Sequence, residues 1–308
     1  MNHYFDDLYS LCRGGLRLDK LEAMDEEEEK ILEKLKKENA SRDAIEWLNR
    51  SINRNRHSAV FESFGWKKGI KGKYDIVYFL KESPKNEELK YSLRSVEENW
   101  QYRNVCFYGG CPEDIVPDRH FPFEQTYESK WANVRNMIIE ACNNPNISDD
   151  FWLFHDDFFI MQPISEDMPP QYNGDLFRHI VVVEERHGGV PYDWSKRLRK
   201  LAMALYAEGK TTFNYEVHKP MLINKKKALK VLRMFPDIPG FRGLYGNYWG
   251  IGGENKHDMK ILQVHYNPVN ASNWEFISTQ DESFKEGLVG KMLKERFNKR
   301  IEDRKSVV

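Results

Sequence analysis

From residue 74 onward the chain alternates short apolar runs with amphipathic stretches, and this rhythm constrains the fold more than any other feature. YDIVYFL is a nearly continuous apolar run, NEELKYSLRSVEENW carries Leu89, Leu93 and Val96 at helical spacing, and RNVCFYGG is a second β-like run ending in glycines. ESKWANVRNMIIEACNN then sets Trp131, Val134, Met137, Ile138 and Cys142 on one helical face, and FWLF follows as another buried strand. Continuous apolar runs belong to strands covered on both faces, and strands alternating with helices build a mainly parallel sheet flanked by helices. The expected class is therefore α/β.

Three regions follow. Residues 1–70 read as a small helical appendage: LEAMDEEEEKILEKLKKEN spaces Leu21, Met24, Ile31, Leu32 and Leu35 helically, with acids early and lysines late as the helix dipole prefers. Ser41 starts SRDAIEWLNRSI as a hydroxyl N-cap, and the DEEEE run reads as a solvated helix face. Residues 71–275 are the α/β domain, with later helices expected at YDWSKRLRKLAMALYAEG and KKKALKVLRMF. GFRGLYGNYWGIGGEN, rich in glycine and aromatics, is expected to be a mobile loop able to close over a ligand. Residues 276–308 are expected to be a C-terminal helical extension with a basic helix, KEGLVGKMLKERFNKR.

Lysine plus arginine at 47 nearly balances aspartate plus glutamate at 48, so no global field argues for nucleic acid. Local basic segments, NKKKALKVLR and KMLKERFNKRIEDRK, keep a nucleic-acid-directed partner open. No apolar stretch approaches the roughly 20 residues of a membrane helix, and MNHYFDDLYS has no signal-peptide character, so a cytoplasmic location is expected. Cys12, Cys106, Cys111 and Cys142 form no C-x-x-C pair and read as reduced core thiols.

The chemistry concentrates in FWLFHDDFFI, where Asp156 and Asp157 interrupt an apolar frame at the carboxyl end of a strand. Unpaired carboxylates are costly there. They can be solvated, share a proton or hold a hard divalent cation, and Mg²⁺ or Mn²⁺ fills its remaining positions with water and substrate phosphate oxygens. Strand alternation sends the two side chains to opposite sides, so one is expected as a direct ligand and the other as a group that orients loops or water.

Four blocks, in order, cover about residues 74–232. DIVYFL, NEELKYSLRSVE, FWLFHDDFFIMQPI and EVHKPMLINKKKALKVL resemble successive conserved segments of the Stealth family of sugar-phosphate transferases. The final stretch, FISTQDESFKEGLVGKMLKERF, resembles the ends of GT-A glycosyltransferase-like proteins often encoded by bacteriophages. The resemblance implies a GT-A-like (Rossmann-like) fold, a nucleotide-diphosphate sugar as donor, a UDP-sugar first, and a divalent cation. It carries Asp75, Asn86, Glu87 and Arg94 to donor binding, Asp156 and Asp157 to the metal and His218 to catalysis. Two departures stand out: FLKESPK replaces the family's tryptophan-valine-asparagine-glycine loop, and His155 replaces the asparagine before the aspartates.

Each candidate has a plain structural role beside the functional one. Arg94 suits phosphate through its planar donors, or a surface ion pair with Glu97 or Glu98. His218 can take a proton from an acceptor hydroxyl, or serve as a structural hydrogen-bonder. His155 can ligate metal or cap the strand, and Asp281 can be a second base or metal ligand, or a turn or N-cap aspartate. Tyr248 and Trp249 can stack on a sugar or base, or pack in the core. Lys225, Lys226 and Lys227 read as a solvated helix face, with contact to an anionic acceptor as the alternative. The reading is metal-dependent transfer of a sugar to an acceptor hydroxyl, carbohydrate or other; sugar-1-phosphate transfer and a non-catalytic glycan- or nucleotide-binding module are the alternatives.

Overall fold

The computed structural model describes residues 72–127 and 129–298. The expected N-terminal helices, Cys12 and the last basic residues lie outside them. In chain order the elements are β1 (Asp75–Leu80), α1 (Glu87–Asn99), β2 (Val105–Gly109), β3 (Arg119–Phe121), α2 (Lys130–Asn143), β4 (Asp150–Phe154) and β5 (Phe158–Ile160). They continue with β6 (Gln171–Tyr172), α3 (Leu176–Glu185), α4 (Asp193–Ala207), β7 (Met221–Asn224), α5 (Lys225–Met234), α6 (Phe241–Trp249) and β8 (Glu254–Asn255). The last are β9 (Lys260–Ile261), α7 (Pro268–Ser272), β10 (Phe276–Thr279), α8 (Asp281–Lys285) and α9 (Leu288–Arg296).

The main sheet has the order β3-β2-β1-β4-β7, parallel except for β7, which runs antiparallel to β4. This is the expected α/β class, a mostly parallel sheet flanked by helices. Every residue of β1 and β2 is buried because both faces are covered. Val77, Phe79, Cys106, Tyr108, Phe151 and Leu153 join a core with α2, α4, α5 and α6. Ile76, Tyr78, Leu80, Val105, Phe107, Trp152 and Phe154 face α1 and β5. The chain leaves β1 on one side to form β2 and returns on the other as β4, so a crevice opens beyond the carboxyl ends of β1 and β4.

A smaller sheet, β5-β10-β9, packs beside α1. A polar stripe on α1 serves the free edge of β5: the Ser92 hydroxyl donates to the Phe158 carbonyl at 2.5 Å, the Ile160 N–H donates to Ser95 Oγ at 3.0 Å, and the Asn99 amide donates to the Ile160 carbonyl at 2.9 Å. The edge is thus satisfied by helix side chains instead of another strand.

Three expectations change. GFRGLYGNYWGIGGEN is not a mobile loop: its centre is α6, bounded by left-handed Gly240 and Gly250. Gly246 is required there by contact, because a Cβ would lie 2.6 Å from the Tyr215 ring. Residues 276–279, placed at the head of a helical extension, are instead β10, paired with β5 and β9. Lys225 is not on a solvated face; it is buried, and its ammonium donates to the Asn144 carbonyl at 2.6 Å and to the Ile147 carbonyl, closing the loop after α2. Cys106 and Cys142 are buried free thiols and Cys111 is half-buried, as expected of core cysteines. Among the described residues no helix is long and apolar enough to cross a membrane.

Candidate active site

Asp156 and Asp157 form the tight turn between β4 and β5, closed by the Phe158 N–H donating to the His155 carbonyl at 3.3 Å. The turn lies at the crevice beyond β4. The pair divides its partners. Asn86, the N-cap of α1, accepts from the Leu89 N–H at 2.9 Å through Oδ1 and donates from Nδ2 to Asp156 Oδ2 at 2.7 Å. Asp157 Oδ2 instead accepts from the Lys260 ammonium at 2.5 Å and the Ser278 hydroxyl at 2.7 Å. β9 and β10 therefore deliver the groups that hold the second carboxylate.

The charges separate accordingly. Burial, and then the neighbouring charge of Asp157, push the Asp156 carboxyl above its ordinary range despite Asn86. Burial also opposes ionisation of Asp157, but Lys260, His155 and His218 together outweigh it and hold that carboxyl below the usual value. Glu88 is a third acid of the site: it accepts from the Thr279 hydroxyl, and burial, reinforced by Asp157 and Asp156, pushes it up to about 7. His155, its ring edge-on to Phe158 at 5.1 Å, is pushed down to about 4, mainly by burial, and is neutral.

His218 reaches the same region from the segment before β7. Its backbone N–H donates to Asp258 Oδ1 at 2.8 Å, and its Nδ1 lies 2.8 Å from Asp258 Oδ2. With Nδ1–H donating to the carboxylate, Nε2 is left as the basic nitrogen. His218 interacts electrostatically with both Asp157 and His155, so the dyad stands within electrostatic reach of the acidic turn. Behind them lies Arg242, buried, donating from Nε to the Tyr215 carbonyl at 3.2 Å and from Nη2 to the Lys219 carbonyl. Its buried Nη1 has no hydrogen-bond partner among the described residues, and its charge interacts with Glu216, Asp258 and Asp157.

Of the residues singled out in the sequence, Asn86, His155, Asp156, Asp157 and His218 gather here. Asp281, exposed at the start of α8 and paired with Lys285 at 3.3 Å, stands at the edge, where its charge acts on Asp156. Four do not gather. Asp75 begins β1 at the opposite end of the sheet, roughly 16 Å from the turn at a strand's rise per residue, and is locked by Arg103 and Asn104 at 2.8 Å each. Glu87 points outward to Lys294 at 3.0 Å; the acid turned inward is its neighbour Glu88. Arg94 donates to the Phe297 carbonyl at 3.0 Å and covers the Tyr91 ring, so it ties α1 to the C-terminal helices. Tyr248 packs on Phe235, and Trp249 donates to the Lys227 carbonyl at 3.2 Å, both against α5.

The donor set suits one kind of metal site. Among the described residues no three histidine, cysteine or acidic side chains converge as a cage. Asp156 and Glu88, both short of positive charge, and Asp157 beside them fit a hard cation that takes one or two carboxylates and completes its shell with substrate oxygens. His155 is not needed for that set.

Fold and site together define an α/β protein with a carboxylate turn and a His–Asp dyad at the switch point of its sheet. No protein-family model and no curated protein matches the chain. Among solved structures it is similar to the galactosyltransferase LgtC in complex with donor and acceptor sugar analogs, at 14% identity over 73% of this chain and 94% of that one, TM-score 0.40. A structure of an active-site mutant of LgtC is similar at 13% identity over 67% and 86% of the two chains, TM-score 0.33.

Proposed function

We propose that the chain is a GT-A-like, metal-dependent glycosyltransferase that moves a sugar from a nucleotide-diphosphate donor to an acceptor hydroxyl. The observation that carries this reading is the Asp156–Asp157 turn at the crevice beyond β4 with the His218–Asp258 dyad within electrostatic reach of it. A divalent ion, Mg²⁺ or Mn²⁺, would be held by Asp156 and Asp157 with Glu88 beside them, and would neutralise the donor diphosphate. Lys260 and Ser278 fix the orientation of Asp157. His218 Nε2 takes the proton of the attacking hydroxyl, and Asp258 stabilises the imidazolium that forms. Positioning and charge stabilisation do the rest.

The second reading is sugar-1-phosphate transfer, favoured by the convergence of Asn86, Asp156, Asp157 and His218, which come from three of the four blocks resembling the Stealth family. The product separates them. Purified protein incubated with UDP- and GDP-sugars, Mn²⁺ and a panel of acceptors is expected to release nucleoside diphosphate. Nucleoside monophosphate would establish the second reading, and no nucleotide release with any donor would overturn both.

A further inference from the structure

The small sheet that holds the acidic turn leads, at its other end, to a second concavity. Tyr266, Asn270, Asn273 and Trp274 line an open cleft of about 460 Å³ beside α7. Tyr266 and Trp274 pack against the core formed by Met259, Ala271, Ile277 and their neighbours, which fixes the rings from behind. The Trp274 ring also meets His257 at 5.6 Å. The carboxamides of Asn270 and Asn273 are exposed and have no hydrogen-bond partner among the described residues.

None of the four lining residues carries a charge, so the chemistry suits a neutral ligand. Fixed aromatic rings offer an apolar surface with a polar edge, and carboxamides offer a donor and an acceptor to adjacent hydroxyls. A polyhydroxylated ring with one C–H face matches both. Trp274 stands in the bend two residues before β10 and precedes Ser278 by four residues, a separation of up to about 14 Å at an extended rise. An oligosaccharide spans that distance and a monosaccharide does not.

We infer that this cleft is a subsite for the distal residues of a neutral oligosaccharide acceptor, whose near end reaches the His218 dyad. The inference rests on the transferase reading for the identity of the near end, while binding at the cleft can be measured without turnover. Saturation-transfer NMR on the full chain, with neutral tri- and tetrasaccharides of gluco, galacto, manno and N-acetylglucosamine configuration, is the test, with uridine and a sulfated trisaccharide for comparison. At least one neutral oligosaccharide is expected to bind. Its affinity should fall at least tenfold in Trp274→Ala and in the exposed double variant Asn270→Ala/Asn273→Ala, while acceptor-free nucleotide release from the donor stays unchanged. No binding by any neutral saccharide, binding that survives the double variant, or tighter binding of uridine would overturn it. Oligosaccharide binding without any nucleotide-sugar turnover would keep the cleft and sink the transferase reading, and turnover without binding there would do the reverse.

Discussion

Asp258 grips His218 twice, accepting the backbone N–H at 2.8 Å with one oxygen and facing Nδ1 at 2.8 Å with the other. The second contact selects the tautomer with a basic Nε2, and the first fixes where the ring stands. His218→Ala is expected to lower kcat by about 10² to 10⁴, the usual worth of a general base, with little change in donor KM. Asp258→Asn keeps the shape but removes the preference for that tautomer, and should lose most of the same factor. Steady-state kinetics at saturating donor check both; an unchanged kcat in His218→Ala would remove the proton-transfer role.

Lys260 is the counter-charge of Asp157. With both side chains about four-fifths buried, removing the ammonium leaves a carboxylate beside Asp156 and Glu88 with the Ser278 hydroxyl but no lysine counter-charge. Lys260→Met is expected to destabilise the protein by about 2 kcal/mol, between the values for exposed and fully buried pairs, seen as a lower urea midpoint. Adding Asp157→Asn should restore part of that loss, since no charge then remains to be paired.

Glu88 ties stability to pH. Its carboxyl is raised by burial to about 7, so between the unfolded value of 4.5 and about 7 the folded state holds a proton that the unfolded state has released. Its contribution is present at the acid end of that window and falls as pH rises through it. In metal-free buffer, the gap in melting temperature between Glu88→Gln and the parent should therefore shift in the variant's favour from pH 5 to pH 8. A gap that is constant with pH would contradict the raised carboxyl.

Asp75 has the opposite sign. Burial opposes its charge, but Arg103, the Ser148 N–H and Asn104 together hold its carboxyl below the ordinary range. Its stabilisation is present above pH 3.8 and is lost as pH falls through the lowered value. Asp75→Ala is expected to cost about 2 kcal/mol, because Asn104 and the Ser148 N–H lose their acceptor while the part-exposed Arg103 turns to water, with kcat of the folded fraction unchanged. A selective rise in donor KM would return Asp75 to the donor site.

Gly246 separates helix propensity from packing. Alanine there gains about 1 kcal/mol of intrinsic helix preference, but its methyl meets the Tyr215 ring at 2.6 Å. A net loss of about 1 to 2 kcal/mol is expected from overpacking, read by chemical denaturation.

Much of this was legible locally. Continuous apolar runs and 3.6-residue spacing identify β1, β2, β4, α1, α2, α4 and α5, because burial on one or both faces is imposed on each segment's own residues. The position of Asp156 and Asp157 at a strand's end followed from the same pattern. One feature was present but overlooked: Glu88, Ser92, Ser95 and Asn99 recur at helical spacing among the apolar residues of α1, a polar stripe that turns inward to β5 and the acids. That spacing distinguishes Glu88 from the outward Glu87.

The rest required the chain to fold. Asp258, Lys260 and Ser278 lie 40, 103 and 121 residues from the side chains they hold, in short strands or loops without periodicity of their own. Arg242 sits in a glycine-rich segment that reads locally as a loop and becomes a helix because its glycines allow Tyr215 and Leu201 to approach. By itself the sequence determined the α/β class and the strand that ends in two carboxylates, since these depend on neighbours along the chain; His218 became a candidate only through the family resemblance. Which acids keep their charge, which base is aligned and which candidates stand at the far end of the sheet were decided only by tertiary structure, because pairing and burial depend on groups brought together from distant segments.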